Sequence, residues 1–131
     1  KLVKIIHDDN LLADTFKSIL ERVLPCRATR VRTDACFSTP ESVEELFKEV
    51  DLFIIQVSDG QAERITRAAR ARAFTVILVS GSSVDARFAR QWDAMFLEPM
   101  SGMYGLMNLA GSALGFVKVS EHEWVLKPQM V

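Results

Sequence analysis

Apolar and polar residues alternate along the chain in segments that predict strands followed by helices. Residues 51–57 are mostly apolar and β-branched and are followed by Ser58, Asp59 and Gly60, a pattern typical of a strand buried on both faces in the middle of a parallel sheet. We interpret this segment as the central strand. Because the crevices of open α/β sheets lie just past the carboxyl ends of the strands, Gln56 is expected to face any functional site.

The segments on either side of this strand complete an alternating pattern. Residues 11–24 repeat apolar positions at roughly the 3.6-residue period of an amphipathic helix, and Pro25 ends it. Thr39 and Pro40 form a helix start, with an N-cap before a proline at the first helical position. Strands are predicted at residues 2–6, 28–33, 74–79 and 94–97, and helices at residues 11–24, 40–50, 60–72, 84–91 and 101–114. The short connections imply a parallel sheet covered by helices on both faces, a three-layer α/β/α sandwich.

The composition is typical of one globular domain and narrows the classes of partner. The 131 residues are 49% hydrophobic and 25% charged, and 16 basic against 17 acidic side chains give a net charge of -1. We therefore expect no nucleic-acid and no membrane partner for this segment. The sequence contains no apolar run of about 18 residues and no signal-peptide pattern, so a cytoplasmic location is expected. Cys26 and Cys36 lack the spacing of a zinc site.

Residues 116–131 come after the alternating unit is complete. Apolar residues at 116–119 and 123–126 predict two further strands. We therefore predict one domain at residues 1–115 and a C-terminal segment at residues 116–131. That segment is either an extension, a strand that binds a partner, or the start of an effector domain or linker.

Polar residues stand at the carboxyl ends of four predicted strands: Asp8 and Asp9, Gln56, Ser80, and Glu98 before Pro99. In the segments that carry these residues, the chain resembles the receiver domain of two-component response regulators. The segments are Ile5-Ile6-His7-Asp8-Asp9-Asn10, Asp51-Leu52-Phe53-Ile54-Ile55-Gln56, Val76-Ile77-Leu78-Val79-Ser80-Gly81 and Phe96-Leu97-Glu98-Pro99. The resemblance, to the chemotaxis-regulator type, covers residues 1–115. It implies a five-stranded parallel sheet in the flavodoxin-like order 2-1-3-4-5.

The resemblance also implies a chemistry that this sequence keeps only in part. In the family an acidic pair holds Mg²⁺, an aspartate on the third strand accepts a phosphoryl group, and a hydroxyl and a lysine stabilise the product. Asp8 and Asp9 match the acidic pair, and Ser80 matches the hydroxyl. Gln56 falls on the phosphoacceptor and Glu98 on the lysine, although a carboxamide cannot form an acyl phosphate and a carboxylate repels one.

These departures lead to the hypothesis of a degenerate receiver, or pseudo-receiver, which acts through protein contacts and is not an enzyme. No cofactor is expected under this hypothesis. By resemblance the contact surface is the last helix-strand-helix face, which binds a protein partner, a second copy or a fused effector domain. The residues assigned to this face are Asp85, Arg87, Arg90, Met95 and Tyr104. Met95 stands at the position of the family's switch aromatic.

Other hypotheses stay open at this point. The first is a phosphorylated receiver in which Asp59 is the acceptor and Asp8 and Asp9 bind Mg²⁺. Another is a divalent-cation site made by Asp8, Asp9 and Glu98 without phosphorylation. A small enzyme with a triad of Ser80 or Ser82, His7 and Asp8 is a third, although no nucleophile-elbow motif supports it. His7 is interpreted instead as a solvated residue at a strand end.

Overall fold

Five parallel strands form the central sheet of the computed structural model, which describes residues 1–33, 39–57, 60–121 and 123–126. The order of the strands is β2-β1-β3-β4-β5, as the resemblance implies. The strands are β1 (Leu2–His7), β2 (Arg27–Val31), β3 (Leu52–Gln56), β4 (Val76–Val79) and β5 (Met95–Leu97). The helices are α1 (Asn10–Val23), α2 (Pro40–Leu46), α3 (Gln61–Ala71), α4 (Ser83–Gln91) and α5 (Gly102–Ala113).

Strand β3 is the most enclosed element of the sheet. It pairs with β1 on one side and β4 on the other, and all its residues from Leu52 to Ile55 are 0% exposed. Leu52 and Ile54 pack towards α1 and α5, whereas Phe53 and Ile55 pack towards α2, α3 and α4. Helices therefore cover both faces of the sheet, and the predicted three-layer α/β/α architecture is confirmed.

Helix α2 is shorter than the predicted helix at residues 40–50. Thr39 and Ser42 form a reciprocal capping box at its start, and Pro40 occupies the first turn, as expected. At its other end the buried Lys4 of β1 donates hydrogen bonds from Nζ to the carbonyl oxygens of Glu45 and Leu46. Burial lowers the pKa of Lys4. The lysine thereby satisfies the last carbonyls of the helix and fixes its end against the sheet.

Two additional strands, β6 (Phe116–Ser120) and β7 (Glu123–Leu126), form an antiparallel hairpin outside the main sheet. The ring of Trp124 lies against the backbone of α5 at Gly111. Lys118 donates a 3.0 Å hydrogen bond from Nζ to the hydroxyl oxygen of Tyr104, and its ammonium lies 4.8 Å from the centre of that ring. The C-terminal hairpin is thus packed on α5.

None of the described helices has the length and apolar character needed to cross a membrane.

Replacing Gly111 with alanine tests the packing of the hairpin. The new Cβ would lie 2.5 and 2.8 Å from atoms of the Trp124 ring, an overlap that costs about 1–3 kcal/mol and exceeds the roughly 1 kcal/mol gained in helix propensity. We expect Gly111→Ala to lower the free energy of unfolding measured by urea denaturation.

The control for this substitution is the Trp124→Ala background. Without the indole ring, Gly111→Ala should raise the stability by about 0.5–1 kcal/mol, because only the helix propensity remains. A destabilisation of the same size in both backgrounds would show that Trp124 does not pack on Gly111.

Candidate functional site

A cleft of about 200 Å³ opens at the carboxyl ends of β3, β4 and β5, between α1 and α5. Gln56 lies at its inner end and Glu98 at its rim, and the turn at Pro99 and Gly102 closes one side. Its walls are apolar side chains from four elements: Leu12, Phe16, Val79, Leu97, Met103 and Leu106. The prediction that Gln56 faces the crevice of the sheet agrees with this geometry.

His7 is the immediate neighbour of Gln56 in the sheet, because the two residues are paired in register at the ends of β1 and β3. The imidazole is 6% exposed and lies edge-on to the ring of Phe16, with ring centres 5.4 Å apart. The interpretation of His7 as a solvated residue was therefore wrong. Val3 and Ile5 are buried on the same side of β1, and this alternation would have predicted the burial of His7.

The ring nitrogens of His7 have different surroundings. Nδ1 accepts a 2.8 Å hydrogen bond from the backbone N–H of Asp9, whereas Nε2 is buried and has no partner in hydrogen-bond geometry among the described residues. Burial lowers the pKa of His7, while the Gln56 side chain and the carboxylates of Asp9 and Asp8 oppose that change in part. Because Nδ1 is an acceptor, the neutral ring carries its hydrogen on Nε2.

The side chains of Asp8 and Asp9 do not line the cleft at Gln56, although the backbone N–H of Asp8 donates a 3.3 Å hydrogen bond to the carbonyl oxygen of Gln56. Asp9 is the N-cap of α1, and its Oδ1 accepts hydrogen bonds from the backbone N–H groups of Leu11 and Leu12 at 2.9 and 3.2 Å. Asp8 is exposed and lines a separate polar depression together with His7 and Arg32. Among the residues that the structure describes, no three His, Cys, Asp or Glu side chains come together as a metal site. Magnesium binding by Asp8 and Asp9 stays a prediction.

The hydroxyl of Ser80 is directed away from the cleft. It donates a 2.6 Å hydrogen bond to Oδ2 of Asp85 on α4 and accepts one from the backbone N–H of Ser82 at 3.1 Å. Ser82 in turn caps α4 through its own hydroxyl. The proton acceptor of Ser80 is thus Asp85 and not His7, which removes the geometric basis for a triad that contains Ser80.

The residues predicted for a contact surface have different environments. Arg87 and Arg90 are exposed on α4, and Tyr104 is 70% exposed on α5 although it is bonded to Lys118. Met95 is half-buried in β5 and packs against the core beneath α1 and α5. Asp59, the alternative phosphoacceptor, lies outside the described residues, as do Cys36 and His122.

Comparison with solved structures identifies the fold. A DNA-binding response regulator of the LuxR family from Staphylococcus aureus has a TM-score of 0.70 and 14% identity, covering 86% of this chain and 98% of its own. A CheY-like receiver domain protein from Methanospirillum hungatei has a TM-score of 0.67 and 19% identity, covering 87% and 93%. The chain has the receiver-domain fold of response regulators. A protein from Burkholderia thailandensis assigned to pilus assembly (cpaE) has the same fold, with a TM-score of 0.65, 15% identity and coverage of 86% and 96%.

No family model and no curated protein sequence matches the chain.

The burial of His7 in this receiver fold predicts a pH-dependent stability. An unfolded histidine titrates near pH 6.5, and the folded pKa lies below that value, so the unfolded chain binds more protons as the pH falls through this range. We expect the free energy of unfolding to be highest above about pH 7.5 and to decrease towards pH 5.5. The contribution of His7 to this decrease is at most about 1.4 kcal/mol per pH unit.

His7→Asn provides the test, since the Asn oxygen can still accept the Asp9 N–H while the side chain no longer titrates. Urea denaturation between pH 5.5 and 8 should give a flatter profile for this variant. The control is His122→Gln, which removes the other histidine of the chain. Its stability should depend on pH in the same way as that of the natural protein. Equal slopes in the natural protein and His7→Asn would contradict the assignment.

Proposed function

We propose that this receiver-fold domain is a pseudo-receiver, a signalling module that acts through protein contacts and is not phosphorylated in its cleft. The observation that carries this proposal is the position of Gln56, which lies at the end of β3 in a cleft with mostly apolar walls. A carboxamide at this position has no carboxylate oxygen to attack a phosphoryl group.

The charges around the cleft support the same conclusion. Phosphoryl transfer depends on cations that neutralise the oxygens of the transferred group. Glu98 is the only charged side chain that lines the cleft among the described residues, and no lysine or arginine is part of this lining. A phosphoryl group bound here would approach a carboxylate without a compensating positive charge, which raises its free energy.

The remaining polar groups of the expected phosphorylation site form hydrogen bonds at the starts of helices, which also supports the proposal. Asp9 uses its carboxylate to cap α1, and the hydroxyl of Ser80 is bonded to Asp85. In the family these two positions are expected to respond to a phosphoryl group and its Mg²⁺. In this chain they stabilise the starts of α1 and α4, so we propose that the domain functions without Mg²⁺.

For the contact surface, we propose the face formed by α4, the edge strand β5 and α5. Strand β5 pairs on one side with β4 and ends the order of the sheet. Arg87 and Arg90 are exposed beside it on α4, and Glu98 is exposed at the end of β5, so the rim of this face carries charges of both signs. The receiver fold also occurs in proteins described as a DNA-binding regulator and as a pilus assembly protein. Because those proteins have different tasks, the domain is suited to work with different protein partners.

Incubation with acetyl phosphate and Mg²⁺, followed by intact mass spectrometry, tests the absence of phosphorylation. We expect the mass of the protein to remain unchanged, because Gln56 cannot form an acyl phosphate. A receiver that carries an aspartate at the end of its third strand serves as the positive control and should gain one phosphate under the same conditions.

The variant Asp59→Asn tests whether the domain is instead a receiver that is phosphorylated on Asp59. If the natural protein gained a phosphate and Asp59→Asn did not, the domain would be a phosphorylated receiver with an atypical acceptor. Phosphate on both proteins would also contradict the pseudo-receiver proposal and would place the acceptor elsewhere in the chain.

A further inference from the structure

The cleft at Gln56 has the size and lining of a site for a small organic molecule. Its volume of about 200 Å³ exceeds the roughly 150 Å³ of an engineered apolar cavity that accepts benzene. Val79 and Leu106 form a floor that is 5% and 2% exposed, while Leu12 at the rim is 44% exposed. The cleft therefore combines a fixed apolar interior with an open entrance, which is the general form of a ligand site.

Few polar groups face this apolar interior, and they lie at opposite ends of it. At the inner end lies the side chain of Gln56, with His7 behind it as its neighbour in the sheet. At the rim the carboxylate of Glu98 is exposed. A ligand with an apolar body would thus meet the carboxamide of Gln56 inside and a negative charge at the entrance.

The charge at the entrance decides between ligand classes. With Glu98 as the only charged side chain lining the cleft in the described part of the chain, an anion is repelled and a cation is attracted. The apolar walls exclude strongly hydrated ions such as Mg²⁺, which demand several oxygen ligands. An organic ammonium satisfies both conditions, because its hydrocarbon body buries apolar surface while its charged group remains near Glu98 and water.

We propose that the cleft binds a small organic ammonium compound, with an apolar body of about the size of a benzene ring between Phe16, Val79 and Leu106 and a cationic group beside Glu98. The proposal rests on the proposed function, because it assigns a ligand to the cleft from which phosphorylation has been lost. Such a ligand would contact α1, β4 and α5 at once. Helix α5 also belongs to the face that we assign to protein contacts, so binding in the cleft would stabilise one of the elements of that face.

An NMR titration of the ¹⁵N-labelled protein with 2-phenylethylammonium tests this proposal. We expect saturable shifts at the amides of Gln56, Val79, Leu97 and Leu106. The neutral 2-phenylethanol has nearly the same shape and should bind about two- to fivefold more weakly, the ratio expected for a partly exposed ion pair. The anion 3-phenylpropionate should bind more weakly still.

Two variants distinguish this site from unspecific binding. Glu98→Gln should bind 2-phenylethylammonium and 2-phenylethanol equally, whereas the control Glu44→Gln, an exposed carboxylate on α2, should keep the preference for the ammonium. Leu12→Trp adds a large ring at the exposed rim and should weaken the binding of both compounds. Resonances away from the cleft should be unchanged in Leu12→Trp if this variant is folded. If it is unfolded, Glu98→Gln alone still tests the proposal.

The proposal is overturned if 2-phenylethylammonium produces no saturable shifts at the cleft, if 3-phenylpropionate binds as tightly, or if Glu98→Gln keeps the preference for the ammonium. Because the titration contains no phosphoryl donor, such a result would leave the absence of phosphorylation unaffected. Conversely, phosphate uptake in the mass experiment would contradict the pseudo-receiver without changing the measured ammonium affinity.

Discussion

The burial of β3 between β1 and β4 is the constraint on which the rest of the structure depends. Both faces of the strand are covered, and its residues from Leu52 to Ile55 have no exposed surface. A shift of one position would bring Asp51 or Gln56 into a buried position now held by an apolar residue, so the register is fixed. That register places Gln56 beside His7 at the edge where the cleft opens. The chemical identity of the cleft therefore follows from which side chains stand at this edge.

These side chains convert a site expected to be ionic into a mainly apolar one. Asp9 and Ser80, which by resemblance belong to a phosphoryl site, form local hydrogen bonds that organise helix starts. Gln56 contributes a neutral amide, and Glu98 contributes a negative charge at the rim. Low-dielectric surroundings make the absence of a cation more important, because a phosphoryl group would be poorly solvated there. The same carboxylate at Glu98 that disfavours a phosphoryl group would attract an ammonium compound.

The sequence predicted the strands well, because their signal is local and the buried runs are long. The sheet order came from the resemblance. The end of α2 was missed because it depends on Lys4, which approaches from a strand more than forty residues away. The role of Asp9 was left open, since an N-cap and a metal ligand require the same type of residue. The alternation of buried residues along β1 predicts a buried His7, but the neighbouring aspartates led us to expect an exposed side chain. The packing of Trp124 on Gly111 is a tertiary contact for which the local sequence gives no signal.

The most direct test of the pseudo-receiver is the response of its ¹H–¹⁵N spectrum to beryllofluoride and Mg²⁺, which together imitate an aspartyl phosphate without requiring a phosphoryl donor. Strand β3 ends in Gln56, whose side chain has no carboxylate to coordinate beryllium. We expect that the amides of Gln56, Ser80 and Arg87 do not shift at saturating beryllofluoride. Saturable shifts at the cleft that extend to α4 and β5 would contradict it, because they would reveal a working phosphorylation switch.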